Sequence, residues 1–384
     1  MNFDYTDEQR SIQETIRRFG HSEIAPKVVA YTKNGVIPDE LVKKLRGLGL
    51  LGGIIPSEYG GSGMDHISWV ITIEELARFD PMIAVLAGAP SSLLGQGILR
   101  WGTQEQKQKY LVGMMREGKM GAAAITEPNI GTDVGAMETT ARREGNTYVL
   151  NGTKLWITGG NQADWIMVFA SLDRSKKHKG ITGFIVERGT PGLSTTVMKD
   201  LLIEELFPPS EVVFSDCAIP MENRLGAEEE GFKILSACLD MGRIHVAARA
   251  LGISQSCLDA CVKYANERRV FGHPIGHYQL IKSMITNMVV GIEAGRLLVY
   301  RAAHLRDQGK TRTQRESSIA KMFAADLVMK TTTDAIQIHG AYGIADEYRM
   351  STLFRWAKVH QIVEGTSQLH RLIIADYALG YRKE

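Results

Sequence analysis

Near the end of the chain, Glu364-Gly365-Thr366-Ser367 sets one carboxylate beside a helix-breaking glycine and two residues that cap helices well. Leu369, Leu372, Ile373 and Tyr377 follow at the spacing of one helix face. Upstream, Phe354, Val359, Ile362 and Val363 make the surroundings apolar. The pattern predicts Glu364 at a break between two helices, presented by rigid elements. Desolvation raises the pKa of such a carboxylate, and a general base tuned toward about 6 to 7 is useful. The bland alternative is a helix-end acid paired with Lys358 or Arg371, and this stretch alone leaves the two readings level.

The rest of the chain must supply what positions that carboxylate. Its 384 residues are enough for two or three domains, since single cores stop growing near roughly 250 to 300 residues. Hydrophobic content of 44% with 23% charged residues is that of a globular chain rather than a disordered or fibrous one. A net charge of +2 offers no electrostatic case for nucleic acid or a membrane surface. The 39 glycines exceed the usual share of about 7%, and their clusters suggest close backbone approach to a ligand. The polar, acidic start lacks the pattern of an export or transit signal. No apolar run approaches the ~18 residues of a membrane span, so no membrane insertion is expected. Cys217, Cys238, Cys257 and Cys261 have no C-x-x-C spacing. They read as buried thiols in a reducing cytoplasm, and no metal site is expected.

Helical periodicity fills the first ~117 residues. Thr6 with Gln9 forms a capping box ahead of Ile12, Ile16 and Phe19, and further helices are predicted over 38–48, 67–79, 87–101 and 104–115. Then the period changes. Tyr148-Val149-Leu150, Asn151-Gly152 and Leu155-Trp156-Ile157 predict a hairpin turning at Asn-Gly. Strand-like runs over 165–170, 183–186, 193–198 and 211–214 complete an antiparallel β domain. The basic cluster Lys176-Lys177-His178-Lys179 between them reads as a solvated loop. Long one-faced helices over 232–266, 279–307, 315–338 and 349–363 mean a bundle. The expected organisation is a helical domain 1–117, a β-barrel-like domain 118–226 and a four-helix bundle 227–384, an α+β multidomain chain.

In order along that frame stand I-P-S-E-Y-G-G-S-G over 55–63, I-T-E-P-N-I-G-T-D from Ile125, W-I-T at Trp156, E-R-R-V-F-G from Glu267, Q-I-H-G-A-Y-G from Gln337 and V-E-G-T from Val363. Through these motifs the chain resembles the acyl-CoA dehydrogenase family along essentially its whole length. The resemblance implies that fold, FAD, a homotetramer, and αβ-desaturation of an acyl-CoA with electrons passed to an electron-transfer flavoprotein. It implies that Glu364 removes the α-proton while hydride leaves the β-carbon for flavin N5. The Glu364 backbone N–H and a flavin hydroxyl would hold the thioester oxygen.

By the same resemblance Thr126 and Thr158 hydrogen-bond the flavin ring and Trp156 packs on it. Unaided, Trp156 reads more readily as hairpin core and Thr158 as a turn residue. Arg268 is implied to reach the FAD pyrophosphate of a neighbouring subunit. Phe271, Gln279, Gln337, Gly340 and Ala341 fall on FAD positions, as do Thr366 and Gln368 at a helix start that suits a phosphate-bearing ligand. Thr132, Asp240, Arg243 and Gly365 match the acyl-CoA side. Members handling isovaleryl and long chains place their base immediately before this arginine; here that residue is Gly242, so the base is expected at 364.

Three departures bear on the substrate. Ile130 replaces a small residue, L-L-I-E-E-L-F-P-P-S over 201–210 replaces a G-x-R-x-S pattern, and Val363 replaces a frequent tyrosine. The helix expected to line the acyl pocket, 82–98, is rich in Ala, Gly and Ser. That leaves volume for a short, branched, aryl or cyclic acyl group, or merely lets helices pack. It contains no Arg or Lys, which argues against a free distal carboxylate. An enoyl-CoA reductase, an acyl-CoA oxidase or a non-catalytic CoA-binding scaffold are the rival readings.

Overall fold

The computed structural model describes residues 4–34, 37–203 and 207–382. Of the departing segment 201–210, residues 204–206 therefore lie outside the described residues. The chain forms two compact units. One comprises Met1–Lys33, Met64–Gly88 and Gly242–Glu384; the other comprises Asn34–Gly63 and Ala89–Met241.

The helices are α1 Asp7–Phe19, α2 Val28–Asn34, α3 Asp39–Gly47, α4 His66–Phe79, α5 Pro81–Gly88, α6 Gly95–Trp101, α7 Gln104–Gln106, α8 Gly231–Glu267, α9 Gln279–Asp307, α10 Gln314–His339, α11 Met350–His360 and α12 Ser367–Ala378. The predicted capping box is present: Gln9 N–H donates to Thr6 Oγ1 at 3.2 Å and Thr6 N–H to Gln9 Oε1 at 3.1 Å. In the helical unit α4 buries two carboxylates, Glu74 and Glu75, to 2% and 1% exposure. Buried charges need partners. Arg296 of α9 donates to Glu74 at 2.8 Å and Arg17 of α1 to Glu75 at 2.7 Å, so the acids tie three helices together. Against α10 pack α9, α11 and α12. The α11–α12 connection is the short turn that carries Glu364.

The helical stretch Pro81–Trp101 is long and apolar enough to cross a membrane by length and composition, unlike any run expected from the sequence. Its most apolar window is 67% buried, as suits a core helix. Two of its small residues have packing partners. A Cβ on Gly88 would stand 2.2 Å from His245 Nε2, and one on Gly97 would stand 3.0 Å from Met167 Sδ.

The strands are β1 Gly121–Ala124, β2 Thr140–Glu144, β3 Thr147–Thr158, β4 Trp165–Ser171, β5 Ile181–Glu187, β6 Leu193–Val197, β7 Pro209–Pro220 and β8 Arg224–Leu225, with a separate small ladder of β9 Arg269–Val270 and β10 His273–Pro274. The large sheet runs β6-β7-β3-β2-β4-β5-β8 with β1 beside β4. It is mixed: β1 and β2 pair with β4 in parallel, the other pairs being antiparallel as expected. Every residue of β4 is buried. Trp165, Met167 and Phe169 join one apolar cluster and Ile166, Val168 and Ala170 the other, following the two-residue period of a strand. The basic segment 176–179 is exposed, and the four cysteines are buried free thiols.

The predicted hairpin at Asn151-Gly152 is corrected. Residues 147–158 form one strand, and the turn comes earlier, at Gly145-Asn146, where Glu144 pairs with Thr147. At Gly152 the β3/β7 register shifts, with φ +145. A Cβ there would lie 2.6 Å from Thr139 Oγ1, so the glycine serves close strand approach rather than a reversal. Asn151 instead accepts from Asp216 N–H at 2.8 Å.

Candidate active site

Glu364 lies in the turn between α11 and α12, as its sequence surroundings predict. Thr366 caps α12 by accepting from Leu369 N–H at 3.2 Å. Asp326 of α10 staples the turn, accepting from Gln361 at 3.0 Å, Ser367 at 3.1 Å and Arg371 at 2.6 Å. That removes Arg371 as a partner for Glu364, and Lys358 donates to Gln361 at 3.0 Å. The salt-bridge alternative is thereby overturned. Glu364 Oε2 is buried with no hydrogen-bond partner among the described residues. Burial pushes its carboxyl up to about 7, against the opposing charges of Arg243, Lys321 and Arg249. The desolvation does not come from every apolar neighbour read in the sequence, for Ile362 is 56% exposed.

The backbone of this turn is unusual. Glu364 has φ +56 and Gly365 φ +98. For a non-glycine residue such a conformation costs of order 1 to 3 kcal/mol and persists where the surroundings over-determine it. Gly242 of α8 faces the carboxylate: a Cβ there would lie 2.7 Å from Glu364 Cδ and both of its oxygens. Arg243, the next residue, is 4% exposed and donates from Nε to Glu364 O at 3.3 Å. The structure thus brings Glu364, Gly365 and Arg243 together. Asp240, also in α8, is fully buried.

Three basic residues here escaped the sequence reading. Lys321 of α10 is fully buried and donates to Gly365 O at 2.6 Å. Arg249 of α8 donates to His360 Nε2 at 2.9 Å. His370 of α12 is buried beside Gly365, its pKa lowered to about 3 chiefly by burial. Lys321 had a signal: it stands in helical register with Ala324, Ala325 and Val328, a charged residue on a face of small and apolar ones.

Also in the helical unit, Arg268, Phe271, Gln279, Gln337, Gly340, Ala341 and Gln368 are exposed, and Thr366 is partly buried at the cap. The Arg268 guanidinium stands 5.8 Å over the Tyr342 ring. Phe271 is 91% exposed at φ +49.

In the sheet unit, Trp156 sits at φ +65 where the β3/β7 register shifts again between Lys154 and Ile157, and it is 53% exposed. It is therefore not hairpin core. Thr158, exposed, ends the strand opposite Pro209. Thr126 O accepts from Leu155 N–H at 2.8 Å, fixing the T-E-P segment against the strand that carries Trp156. Thr132 is exposed and Ile130 partly buried. Beneath them Lys154, fully buried, pairs with buried Glu127 at 2.8 Å. Glu127 also accepts from Glu138 N–H at 2.6 Å and Thr139 N–H at 2.9 Å. Of the eight non-glycine residues with positive φ among the described residues, three are Trp156, Phe271 and Glu364.

Three family models match: the acyl-CoA dehydrogenase N-terminal domain over 6–118, its middle domain over 122–217 and its C-terminal domain over 229–379. The chain belongs to the acyl-CoA dehydrogenase family, a family of flavin-dependent oxidoreductases. It is 41% identical over 377 residues to a short-chain specific acyl-CoA dehydrogenase of Megasphaera elsdenii, covering 97% of this chain and 98% of that one. To a 3-(aryl)acrylate reductase of Clostridium sporogenes it is 40% identical, covering 98% and 99%. The solved butyryl-CoA dehydrogenase of Megasphaera elsdenii superposes with a TM-score of 0.94 at 40% identity, covering 99% of this chain and 100% of that one.

Proposed function

We propose that this chain is an FAD-dependent dehydrogenase of short acyl-CoA thioesters, with Glu364 as the base that takes the α-proton. One observation carries the reading: a buried carboxyl oxygen without a partner among the described residues, on a carboxyl whose pKa is raised to about 7. At neutral pH such a group is ionised in part and basic enough to accept a carbon-bound proton, which a surface glutamate near 4.3 does poorly. Proton transfer is Glu364's own step. Its N–H, fixed by the strained turn, suits the thioester oxygen as negative charge grows there. Gly365 belongs to that turn and Arg243 donates to it, and Thr132 and Asp240 are assigned to the CoA side by their places in the family motifs.

FAD, when bound, accepts the hydride that leaves the β-carbon. The residues present fit it. Trp156 offers a half-exposed ring from a strained bulge, with Thr158 ending the same strand and Thr126 bonded to it through Leu155 N–H. In the other unit Arg268, Phe271, Gln279, Gln337, Gly340, Ala341 and Gln368 lie exposed, and the Phe271 ring, at 91% exposure, is little covered by the described residues. That supports a FAD site completed by a second copy; the homotetramer belongs to the same proposal. Thr366 opens the helix whose N-terminus suits a phosphate. The division into 1–117, 118–226 and 227–384, a cytoplasmic location and electron transfer to an electron-transfer flavoprotein belong to the same proposal.

A second reading, reduction of an aryl or short enoyl-CoA by the same residues, is favoured by the 40% identity to the aryl acrylate reductase. The experiment is the visible spectrum of the purified holoprotein under anaerobic conditions, before and after butyryl-CoA and a panel of branched, aryl and cyclic acyl-CoAs. Bleaching of the flavin band by a short member is expected. A flavin left oxidised by all of them, but reoxidised from its reduced form by an enoyl-CoA, selects the second reading.

A further inference from the structure

We infer that Lys321 is a positioning residue for Glu364: together with Arg243 it grips the two successive carbonyls of the Glu364-Gly365 turn and so fixes the backbone that aims the carboxylate. The inference rests on the reading of Glu364 as the base.

The turn needs such a device. A non-glycine residue at positive φ, as Glu364 is at +56, is unfavourable unless held from outside. Arg243 Nε holds Glu364 O at 3.3 Å from α8, and Lys321 Nζ holds Gly365 O at 2.6 Å from α10. With both carbonyls fixed, rotation about the backbone bonds of Gly365 and the second bond of Glu364 is restricted from two sides.

Packing does not explain the residue. Lys321 is fully buried, and an ammonium group in such a place costs several kcal/mol. A methionine is of similar length and would be buried without that cost. Among the described residues no carboxylate lies within ion-pair distance of Lys321, so it is not the cation of a structural salt bridge. Its nearest role is the turn. Burial lowers its pKa to about 7, with the Glu364 charge opposing. The charged groups acting on Glu364 are Arg243 and Arg249 of α8 and Lys321 of α10. His360 of α11 and His370 of α12, each buried, are held neutral near pH 7 by desolvation.

Two variants separate the grip from the charge. K321M loses both; K321Q keeps a donor for Gly365 O and loses the charge. Each is purified as holoenzyme, and flavin reduction by butyryl-CoA is followed anaerobically across pH. Misplaced reacting groups cost up to about 10²-fold, so K321M should be slowed by roughly 10- to 100-fold on the high-pH plateau, and K321Q should recover most of that rate. In both, the acid limb should move to higher pH, because removing a cation disfavours the carboxylate. The infrared carboxyl band of Glu364, assigned by its absence in E364Q, should titrate at correspondingly higher pH. A K321M enzyme with wild-type rate and limb would overturn the inference, as would K321Q as slow as K321M with an unmoved limb. Should K321M not fold, the limb and infrared titration of K321Q decide alone. Normal flavin reduction in E364Q would instead remove the base reading, and the infrared titration would still report on Lys321.

Discussion

The helical unit and the sheet unit each bury a glutamate near a buried lysine, and the two pairs behave in opposite ways. In the sheet, burial raises the pKa of Glu127, but the Lys154 ammonium at 2.8 Å and the N–H groups of Glu138 and Thr139 outweigh it and leave it below the ordinary carboxylate value. In the helices, Lys321 turns to a carbonyl, Glu364 Oε2 has no partner among the described residues, and the carboxyl rises to about 7. Residue types are the same; what differs is whether the lysine meets the carboxylate or the backbone beside it. A satisfied carboxylate is structural, whereas an unsatisfied one is left with proton affinity to use. Glu127 and Lys154 serve the strand bulge that presents Trp156, two residues on.

The comparison breaks most visibly at Glu364. E364Q should retain flavin but reduce it with butyryl-CoA roughly 10²- to 10⁴-fold more slowly, the usual worth of a general base; near-wild-type stopped-flow rates would refute that role. E127Q, in contrast, should fold less well yet keep measurable flavin reduction. Next in size, K154M leaves Glu127 buried and unpaired, which costs about 3 to 5 kcal/mol. Urea unfolding should show that loss, while the double replacement E127Q/K154M should lose less. An undiminished midpoint in K154M would mean that the pair is not desolvated.

A smaller effect is expected of G242A. Its new methyl would meet the Glu364 carboxylate at 2.7 Å, so the carboxylate must move and flavin reduction should fall by about 10-fold or more, as for other ångström-scale misplacements. An unchanged rate would show that the carboxylate has room. A last effect is in stability against pH, and its sign differs between the two sites. Glu127, with a lowered folded pKa, contributes stability that is present above about pH 4.3 and lost as pH falls below it. Glu364, with a folded pKa near 7, binds its proton more tightly folded than unfolded, so its contribution is lost as pH rises from about 4.3 to 7. The melting temperature of E364Q should therefore gain on wild type across that window; parallel curves would sink the raised pKa.

Much of this was legible in the chain. The helix break at Glu364-Gly365, the cap at Thr366 and the capping box at Thr6 are local matters of backbone freedom and orphan N–H groups, which neighbouring residues settle. The order helical, β, helical follows from hydrophobic period. Non-local choices were not legible. Asn151-Gly152 suits a tight turn and also a bulge where Thr139 comes close, and only the strand opposite decides between them. The alternating apolar set of β4 does not say that β1 and β2 join it in parallel. Trp156 reads as core until the register shift turns it outward.

At the site the division is the same. The sequence by itself determined that a carboxylate would stand at a helix break, with a glycine at 242 and an arginine at 243, because those are statements about single residues and their neighbours. Only the tertiary structure decided that Arg371 goes to Asp326, that Lys321 goes to Gly365 O and that Glu364 keeps an unpartnered oxygen. The pKa of a carboxylate depends on which partners reach it across the fold, and a linear pattern of residues carries no such distances.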